Sequence, residues 1–472
     1  MSVRQKAIIG FSWNLLETLG GKFVQVLVLV ILARLLEPQD FGLIALLVIF
    51  TELAKVILNS GFAQALVREK HVSRIDLSSV FYINLLVGLL LYCVLYFMSP
   101  FISNFYEKPE LTGYSRLVFL VILINSFMVV QSAILTREMR FKSLSLSTLL
   151  SSLLAGIIAI YLAYNGWGVR ALITQLVLSA FFRLILLCVV TRWLPSPRIS
   201  IASIKRLFKF SKNILASGIL DAITSNLQSL LIGKFYTVSD LGLYSQSRQL
   251  STMPSQMLTS TFANVSYSAL TKLENYDSIK RSYRKILLLS FSFVFPLMMW
   301  LSAIGDQLLP LVLGEQWKEA GTYFQIFCIA GAFFPLYIIT TNIFLVLGDS
   351  GKYLRVNIIK RIVVLVVTLI AINFGVLAMV FGYLGAMIFN SLLSMIISGK
   401  ELKYSLFEQV KDIYGVAGVA LIMIFCMRLV AGTGGHFLTQ AFIGVLVFII
   451  LSFLFRLKVV DELGSIAKSF RK

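Results

Sequence analysis

The stretch KFSKNILASGILDAITSNLQSLLIGKFY, Lys209–Tyr236, is long enough to cross a bilayer, yet it carries Asn213, Ser217, Asp221, Thr224 and Gln228. A helix needs about 20 residues to span the hydrocarbon layer. Ionisable groups inside such a helix are rare and turn away from lipid. On a helical wheel the five polar residues fall at i, i+4, i+8, i+11 and i+15, a stripe less than about 90° wide. The stretch therefore reads as a membrane helix with one polar face.

The surrounding chain supports that reading. Of 472 residues, 58% are hydrophobic and 14% charged, against roughly 25% charged in a soluble domain. Long apolar runs recur at Phe23–Leu36, Leu85–Met98, Leu144–Leu162 and Ile362–Ile372 with its flanks. Only helices and closed barrels satisfy their backbone groups in lipid. A barrel would show short alternating segments rather than continuous runs, so the fold class is an all-α polytopic membrane protein. The start MSVRQKAIIGFSWNLLETLGGK has a basic lead but no small-residue cleavage site, so no cleaved signal peptide is expected. The net charge of +20 would suggest nucleic acid in a soluble protein. In a membrane protein it reflects basic cytoplasmic loops, and no nucleic-acid partner is expected. Cys93, Cys188, Cys328 and Cys426 lie far apart in apolar runs and read as small buried hydrophobes. His71 and His436 fall in loops. No metal site, cofactor, phosphate loop or nucleophile elbow is expected.

Hydropathy gives about 14 spans, at 9–35, 41–66, 78–101, 114–135, 142–165, 167–192, 205–234, 240–270, 280–304, 320–347, 353–374, 376–399, 412–431 and 438–456. The N-terminus and the loops after even-numbered spans hold Arg4, Arg68, Arg74, Arg137, Arg198, Arg206, Arg284, Lys400 and Lys472 among others. The loops after odd-numbered spans hold few. The bias is roughly fourfold and puts both termini in the cytoplasm. The longest non-helical stretches, Met98–Tyr114, Trp193–Ile204 and Gly305–Glu319, leave no room for a soluble domain.

An internal repeat organises these spans. GFSWNLL (Gly10–Leu16) aligns with KFSKNIL (Lys209–Leu215), and ARLLEPQDFGLIAL (Ala33–Leu46) with GKFYTVSDLGLYSQ (Gly233–Gln246). Both copies place Asp-x-Gly-Leu ahead of the next span, at Asp40–Leu43 and Asp240–Leu243, and SGFA (Ser60–Ala63) aligns with STFA (Ser260–Ala263). The offset near 200 residues covers six spans, an even number, so two parallel six-helix lobes follow. The expected organisation is 1–200 and 201–403 for the lobes, and 404–472 for two further C-terminal helices with a cytoplasmic tail. The repeat also makes a span of Gly242–Leu270, which hydropathy alone would reject, with a kink at Pro254.

The first two helices of each lobe carry the candidate site. Glu17, Lys22 and Gln25 share one arc of span 1, and Glu52 and Lys55 one face of span 2. Asp221, Thr224 and Gln228 lie on span 7, and Arg248 on span 8. Such faces line a bundle interface or a water-filled cavity. Ser, Thr and Asn there equally serve as interhelical hydrogen-bond glue. Glu52 and Lys55, at i,i+3, can pair with each other. Arg34 and Lys234, at equivalent outer ends in the repeat, can be interfacial anchors, and Arg183 can snorkel. Lys22, Asp221 and Arg248 lie deeper and read as cavity-lining. Lys22 and Asp221 occupy equivalent repeat positions, so they could pair across the lobe interface.

The segments ARLLEPQDFGLIAL, SGFAQALV, LTREMRFK (Leu135–Lys142) and DLGLYSQSRQL resemble the Wzx-type polysaccharide flippases of the multidrug/oligosaccharidyl-lipid/polysaccharide exporter superfamily, in the colanic and teichuronic acid exporter group. The resemblance covers nearly the whole chain, least of all the last two spans. It implies a MATE-like fold in the bacterial inner membrane. The implied activity is non-enzymatic: moving an undecaprenyl-pyrophosphate-linked oligosaccharide outward by alternating access. Membrane lipids, a polymerase with its chain-length partner, and a coupling ion, proton or sodium, are the implied partners; Asp221 or Glu17 could carry the proton. Lys22 and Arg248 suit the diphosphate, which cannot cross hydrocarbon unaided. A cation antiporter of the same superfamily would need an acidic cavity, whereas the deep charges here are mixed. A membrane polymerase would show a large catalytic outer loop. A scaffold would not need aligned polar faces in both lobes.

Overall fold

A computed structural model describes residues 24–58, 62–69, 72–271, 273, 275–432, 436–455 and 457–458. Among these every regular element is helical. The first part comprises α1 (Val24–Leu35), α2 (Pro38–Leu58), α3 (Phe62–Arg68), α4 (Arg74–Tyr106), α5 (Leu111–Val118), α6 (Leu120–Arg137), α7 (Phe141–Tyr164), α8 (Val169–Thr191) and α9 (Ile201–Phe235). There follow α10 (Val238–Leu270), α11 (Tyr276–Leu313), α12 (Ala320–Ala332), α13 (Phe334–Val346), α14 (Ser350–Ala371), α15 (Val376–Glu401), α16 (Leu406–Gly432) and α17 (Phe437–Leu454). Counting α5–α6 and α12–α13 as single bent rods, eleven helices among the described residues are long and apolar enough to cross a membrane. Helices α9 and α10, 35 and 33 residues long, are not among these eleven. For α10 the repeat was needed to read a span at all.

The helix starts follow local chemistry. Ser73 and Asp76 form a capping box at α4: the Asp76 amide donates to Ser73 Oγ at 3.1 Å, and the Ser73 amide to Asp76 Oδ2 at 2.9 Å. Thr237 and Asp240 repeat the arrangement at α10, and Ser405 and Glu408 at α16. The expected span 41–66 is helical over α2 and α3, with residues 59–61 between them outside the described residues. Two sequence expectations shift. Residues 98–106 and 305–313, expected in loops, extend α4 and α11, with Pro100 and Pro310 inside the helices. Among the cysteines, only Cys328 is buried; Cys188 is exposed and the other two are intermediate, because these helices turn apolar faces outward.

The repeat appears as geometry at the Asp-x-Gly-Leu corners. Helix α1 ends at Leu35 and α2 starts at Pro38; α9 ends at Phe235 and α10 starts at Val238. The Leu36 amide donates to the Leu32 carbonyl at 2.9 Å, and the Tyr236 amide to the Ile232 carbonyl at 2.9 Å. The two corners also touch reciprocally. A Cβ on Gly42 would lie 1.9 Å from the Val238 carbonyl oxygen, and one on Gly242 the same distance from the Pro38 carbonyl oxygen. Both motif positions therefore require glycine, because backbone meets backbone.

By contacts the chain forms two compact units, Met1–Gly242 and Leu243–Lys472. In the first, α9 packs on α2, α3 and α4. Phe62, Leu66, Val80, Phe81, Val130 and Leu207 form a core that joins α3, α4, α6 and α9, with Trp193 packed against it. The linker ahead of α9 is stapled to α4: the Ser196 amide donates to Ser78 Oγ at 2.9 Å, and the Ser200 amide to Ser79 Oγ at 2.8 Å. In the second unit α11 is the central rod, contacted by α12, α13, α16 and α17. Buried Asp412 on α16 receives Arg284 of α11, Lys458 at 2.5 Å, and the Tyr404 hydroxyl. Burial, and then Asp412, push the Tyr404 phenol well above its ordinary pKa. Trp300 Nε1 donates to the Ala441 carbonyl at 3.0 Å and fastens α17 to the same rod.

The corner contact is open to test. Gly42→Ala and Gly242→Ala should each destabilise the folded protein by about 1–3 kcal/mol, the usual range for overpacking. The measurement is thermal unfolding of detergent-purified protein. Gly113→Ala, where an added Cβ meets nothing within 4 Å, should leave the midpoint unchanged.

Candidate functional site

Within the first unit, the described candidate residues lie on α1, α2 and α9. Glu17 and Lys22 lie outside the described residues, as do the side chains of Asn213 and Ser217. Gln25 and Arg34 are exposed on α1. Glu52 and Lys55 choose one of the alternatives left open above: Lys55 Nζ donates to Glu52 Oε1 at 2.7 Å. On α9, Asp221 is exposed, Thr224 is intermediate, and Gln228 is buried. Thr224 Oγ1 donates to the Leu220 carbonyl at 2.8 Å, a bond within its own helix. Lys234 is an anchor. Its Nζ donates to the Phe105 carbonyl at 2.6 Å, pairs with Glu107 at 3.0 Å, and lies 5.0 Å from the Phe105 ring centroid. Those partners are the last turn and C-cap of α4.

A groove of about 670 Å³ opens on the first unit where α4, α6 and α9 meet. Ser73, Asp76, Arg137, Ser200, Ser203 and Arg206 line it with Val72 and Ile75. Its charges are internally matched. Arg206 Nη2 bonds Asp76 Oδ1 at 2.9 Å and lies near Glu69, while Arg137 donates to the Leu66 and Glu69 carbonyls. These bonds tie three helix ends together.

In the second unit an arginine lies among aromatic rings. Arg248 of α10 donates from Nη1 to the Tyr244 hydroxyl at 3.4 Å and lies 5.5 Å over the Tyr383 ring of α15. Phe327 completes the enclosure, edge-on to Tyr244 at 5.3 Å and to Tyr383 at 5.6 Å. A guanidinium held over rings keeps its charge while shedding most of its water. It is thus suited to an anionic, flat-faced or phosphate-bearing group.

On α14 lies a residue that the sequence reading passed over. Lys360, the eleventh residue of the 22-residue α14, is fully buried. Its Nζ donates to the Tyr337 carbonyl at 2.8 Å and to the Thr341 hydroxyl, and sits 3.7 Å from the Tyr337 ring centroid. Among the described residues no carboxylate pairs with it. The visible signal was the Lys360–Arg361 doublet inside the run assigned to span 353–374. Asn390 on α15 donates from Nδ2 to the Lys360 carbonyl at 3.1 Å. No group of three or more metal-ligating side chains occurs among the described residues.

Residues 31–322 match the protein family described as "Polysaccharide biosynthesis protein". The chain is similar to the succinoglycan biosynthesis transport protein ExoT of Rhizobium meliloti (strain 1021), 29% identical over 66% of this chain and 63% of ExoT, just under two thirds of that relative's length. It is also similar to the lipopolysaccharide biosynthesis protein WzxC of Escherichia coli (strain K12), 22% identical over 87% of this chain and 84% of WzxC. Among solved structures, the lipid II flippase MurJ in an inward closed conformation superposes with a TM-score of 0.79, covering 94% of this chain and 99% of MurJ at 15% identity. An inward-facing MATE multidrug resistance transporter gives 0.62, covering 85% and 99%, also at 15% identity. At these identities the superpositions establish the fold.

The half-exposed Glu52–Lys55 pair should contribute little to stability. The double variant Glu52→Gln/Lys55→Met should change the unfolding free energy by no more than about 1 kcal/mol, read by thermal unfolding. A larger loss would mean that these side chains hold a further partner.

Proposed function

The chain belongs to the polysaccharide biosynthesis protein family, and from that premise we propose that it is a flippase for an undecaprenyl-pyrophosphate-linked oligosaccharide in the bacterial inner membrane. The observation that carries the reading is the near-full-length likeness to WzxC, together with the fold shared with MurJ. The eleven membrane-length helices agree with it. So does the chemistry: a diphosphate and a sugar head need a polar route across hydrocarbon, while the polyprenyl tail can remain in lipid. Arg248, enclosed by Tyr244, Phe327 and Tyr383, is the group we assign to the diphosphate. Lys22 and Gln25 are proposed to face the same substrate from the N-terminal repeat. Transport would proceed by alternating access, with repeats at 1–200 and 201–403, helices 404–472 as an addition, both termini cytoplasmic, and 14 spans in all.

We read the chain as a transporter rather than an enzyme, and rank an antiporter for cations below a flippase. A cation site calls for clustered acids, whereas the second unit sets Arg248 over the Tyr383 ring and buries Lys360. Asp221, on its exposed face of α9, or Glu17 is proposed to carry the proton of a coupled cycle.

In a deletion strain, lipid-linked repeat units should accumulate unpolymerised on the cytoplasmic side; single units accumulating outside would instead indicate a polymerase. Complementation with Arg248→Ala should leave protein levels intact and lower surface polysaccharide at least about tenfold. That corresponds to one lost charge-assisted hydrogen bond. Full polymer output from this variant would overturn the diphosphate assignment.

A further inference from the structure

We propose that Lys360 is a positioning residue: its ammonium group fixes the bent α12–α13 rod and the Tyr337 ring, and through them the Tyr383 surface on which Arg248 lies. The consequence for substrate rests on the flippase reading; the positioning itself rests on geometry alone.

The bend begins with a proline. Pro335 lacks the amide hydrogen that would bond the Gly331 carbonyl one turn earlier. That carbonyl receives the Ser255 hydroxyl of α10 instead, at 2.7 Å. The Phe333 carbonyl, at the break itself, keeps its bond from the Tyr337 amide at 3.1 Å, while Ser391 of α15 donates to Met387 of its own helix at 2.8 Å. The Tyr337 carbonyl, one turn beyond, receives the Thr341 hydroxyl and Lys360 of α14, each at 2.8 Å. Two other helices, α10 and α14, thus reach carbonyls along one bend, and only the second uses a charge.

That charge is out of place if packing is the sole purpose. A buried ammonium without a carboxylate is costly, and an apolar side chain of similar volume would fill the space without the penalty. The Ser255 bond shows that a neutral hydroxyl suffices to satisfy a carbonyl here. What an ammonium adds is a grip on the face of a ring. Nζ stands 3.7 Å from the Tyr337 centroid, and its two hydrogen bonds to Tyr337 and Thr341 fix the direction of approach. Helix α13, which carries Tyr337, packs on α15, which carries Tyr383, and Tyr383 carries Arg248 on its ring face. The order Lys360, Tyr337, Tyr383, Arg248 thus runs from a fully buried cation to the half-buried one assigned to the substrate.

The test uses the full-length protein in nanodiscs, with undecaprenyl diphosphate as the probe. Lys360→Met and Tyr337→Leu should each weaken binding about tenfold. The double variant should be no weaker than the worse single, because both act through the same ring. A 3-fluorotyrosine at position 337 should give one ¹⁹F resonance in the wild type, displaced or broadened by Lys360→Met. Should Lys360→Met not fold, Lys360→Gln, which keeps a donor for the carbonyl but no charge, takes its place with the same expectation. An unchanged resonance, unchanged binding, or additive losses in the double variant would overturn the positioning role. If the wild type itself fails to bind the lipid, the flippase reading fails, and the ¹⁹F result still decides whether Lys360 positions the ring.

Discussion

Two helix starts that cross backbone against backbone set the frame for the first unit. At Gly42 and Gly242 each chain leaves no room for a single carbon atom, since the carbonyl of Val238 or Pro38 occupies its place. Contact this close aligns two helix ends more tightly than side-chain packing can, because there is nothing flexible between them. The arrangement of α2 and α9, the strapping of α9 to α4 by Ser78, Ser79, Asp76 and Arg206, and the core around Phe62 and Phe81 all build on that alignment.

The second unit follows another constraint, the need to satisfy polar groups away from water. Its buried hydroxyls largely bond carbonyls: Ser247 to Ala320, Ser255 to Gly331, Thr368 to Val364 within its own helix. Its buried carboxylate, Asp412, takes two cations and a phenol. Against that background a lysine held by a carbonyl, a hydroxyl and an aromatic face stands out, and so does an arginine lodged among three rings.

Much of this was legible in the sequence. The Asp-x-Gly-Leu match located both corners to the residue, since the helix ends at Leu35 and Phe235 keep the offset of the motif. The i,i+3 spacing of Glu52 and Lys55 announced their pairing. Other features rest on distance. Lys234 finds its partners at Phe105 and Glu107, and nothing local in the sequence connects them. Residues 98–106 read as a loop because Pro100 and several polar residues interrupt the apolar run, yet the helix continues and closes on a left-handed cap at Glu107. Lys360 was hidden by averaging: the apolar run that begins at Ile362 outweighs the Lys360–Arg361 doublet in a hydropathy window. The carbonyl partners along the α12–α13 bend come from two separate helices, α10 and α14, and have no sequence pattern at all.

The corner contact has a bearing on ancestry. It is self-complementary: Gly42 meets the residue equivalent to Pro38, and Gly242 meets Pro38 itself. Contacts of that kind are the ones two identical molecules make about a two-fold axis. A chain of half this length, bearing a single corner, would offer the same glycine and the same carbonyl to a second copy of itself. Duplication and fusion would then have made permanent a pairing that already existed, and each glycine would have been kept from drifting by the other.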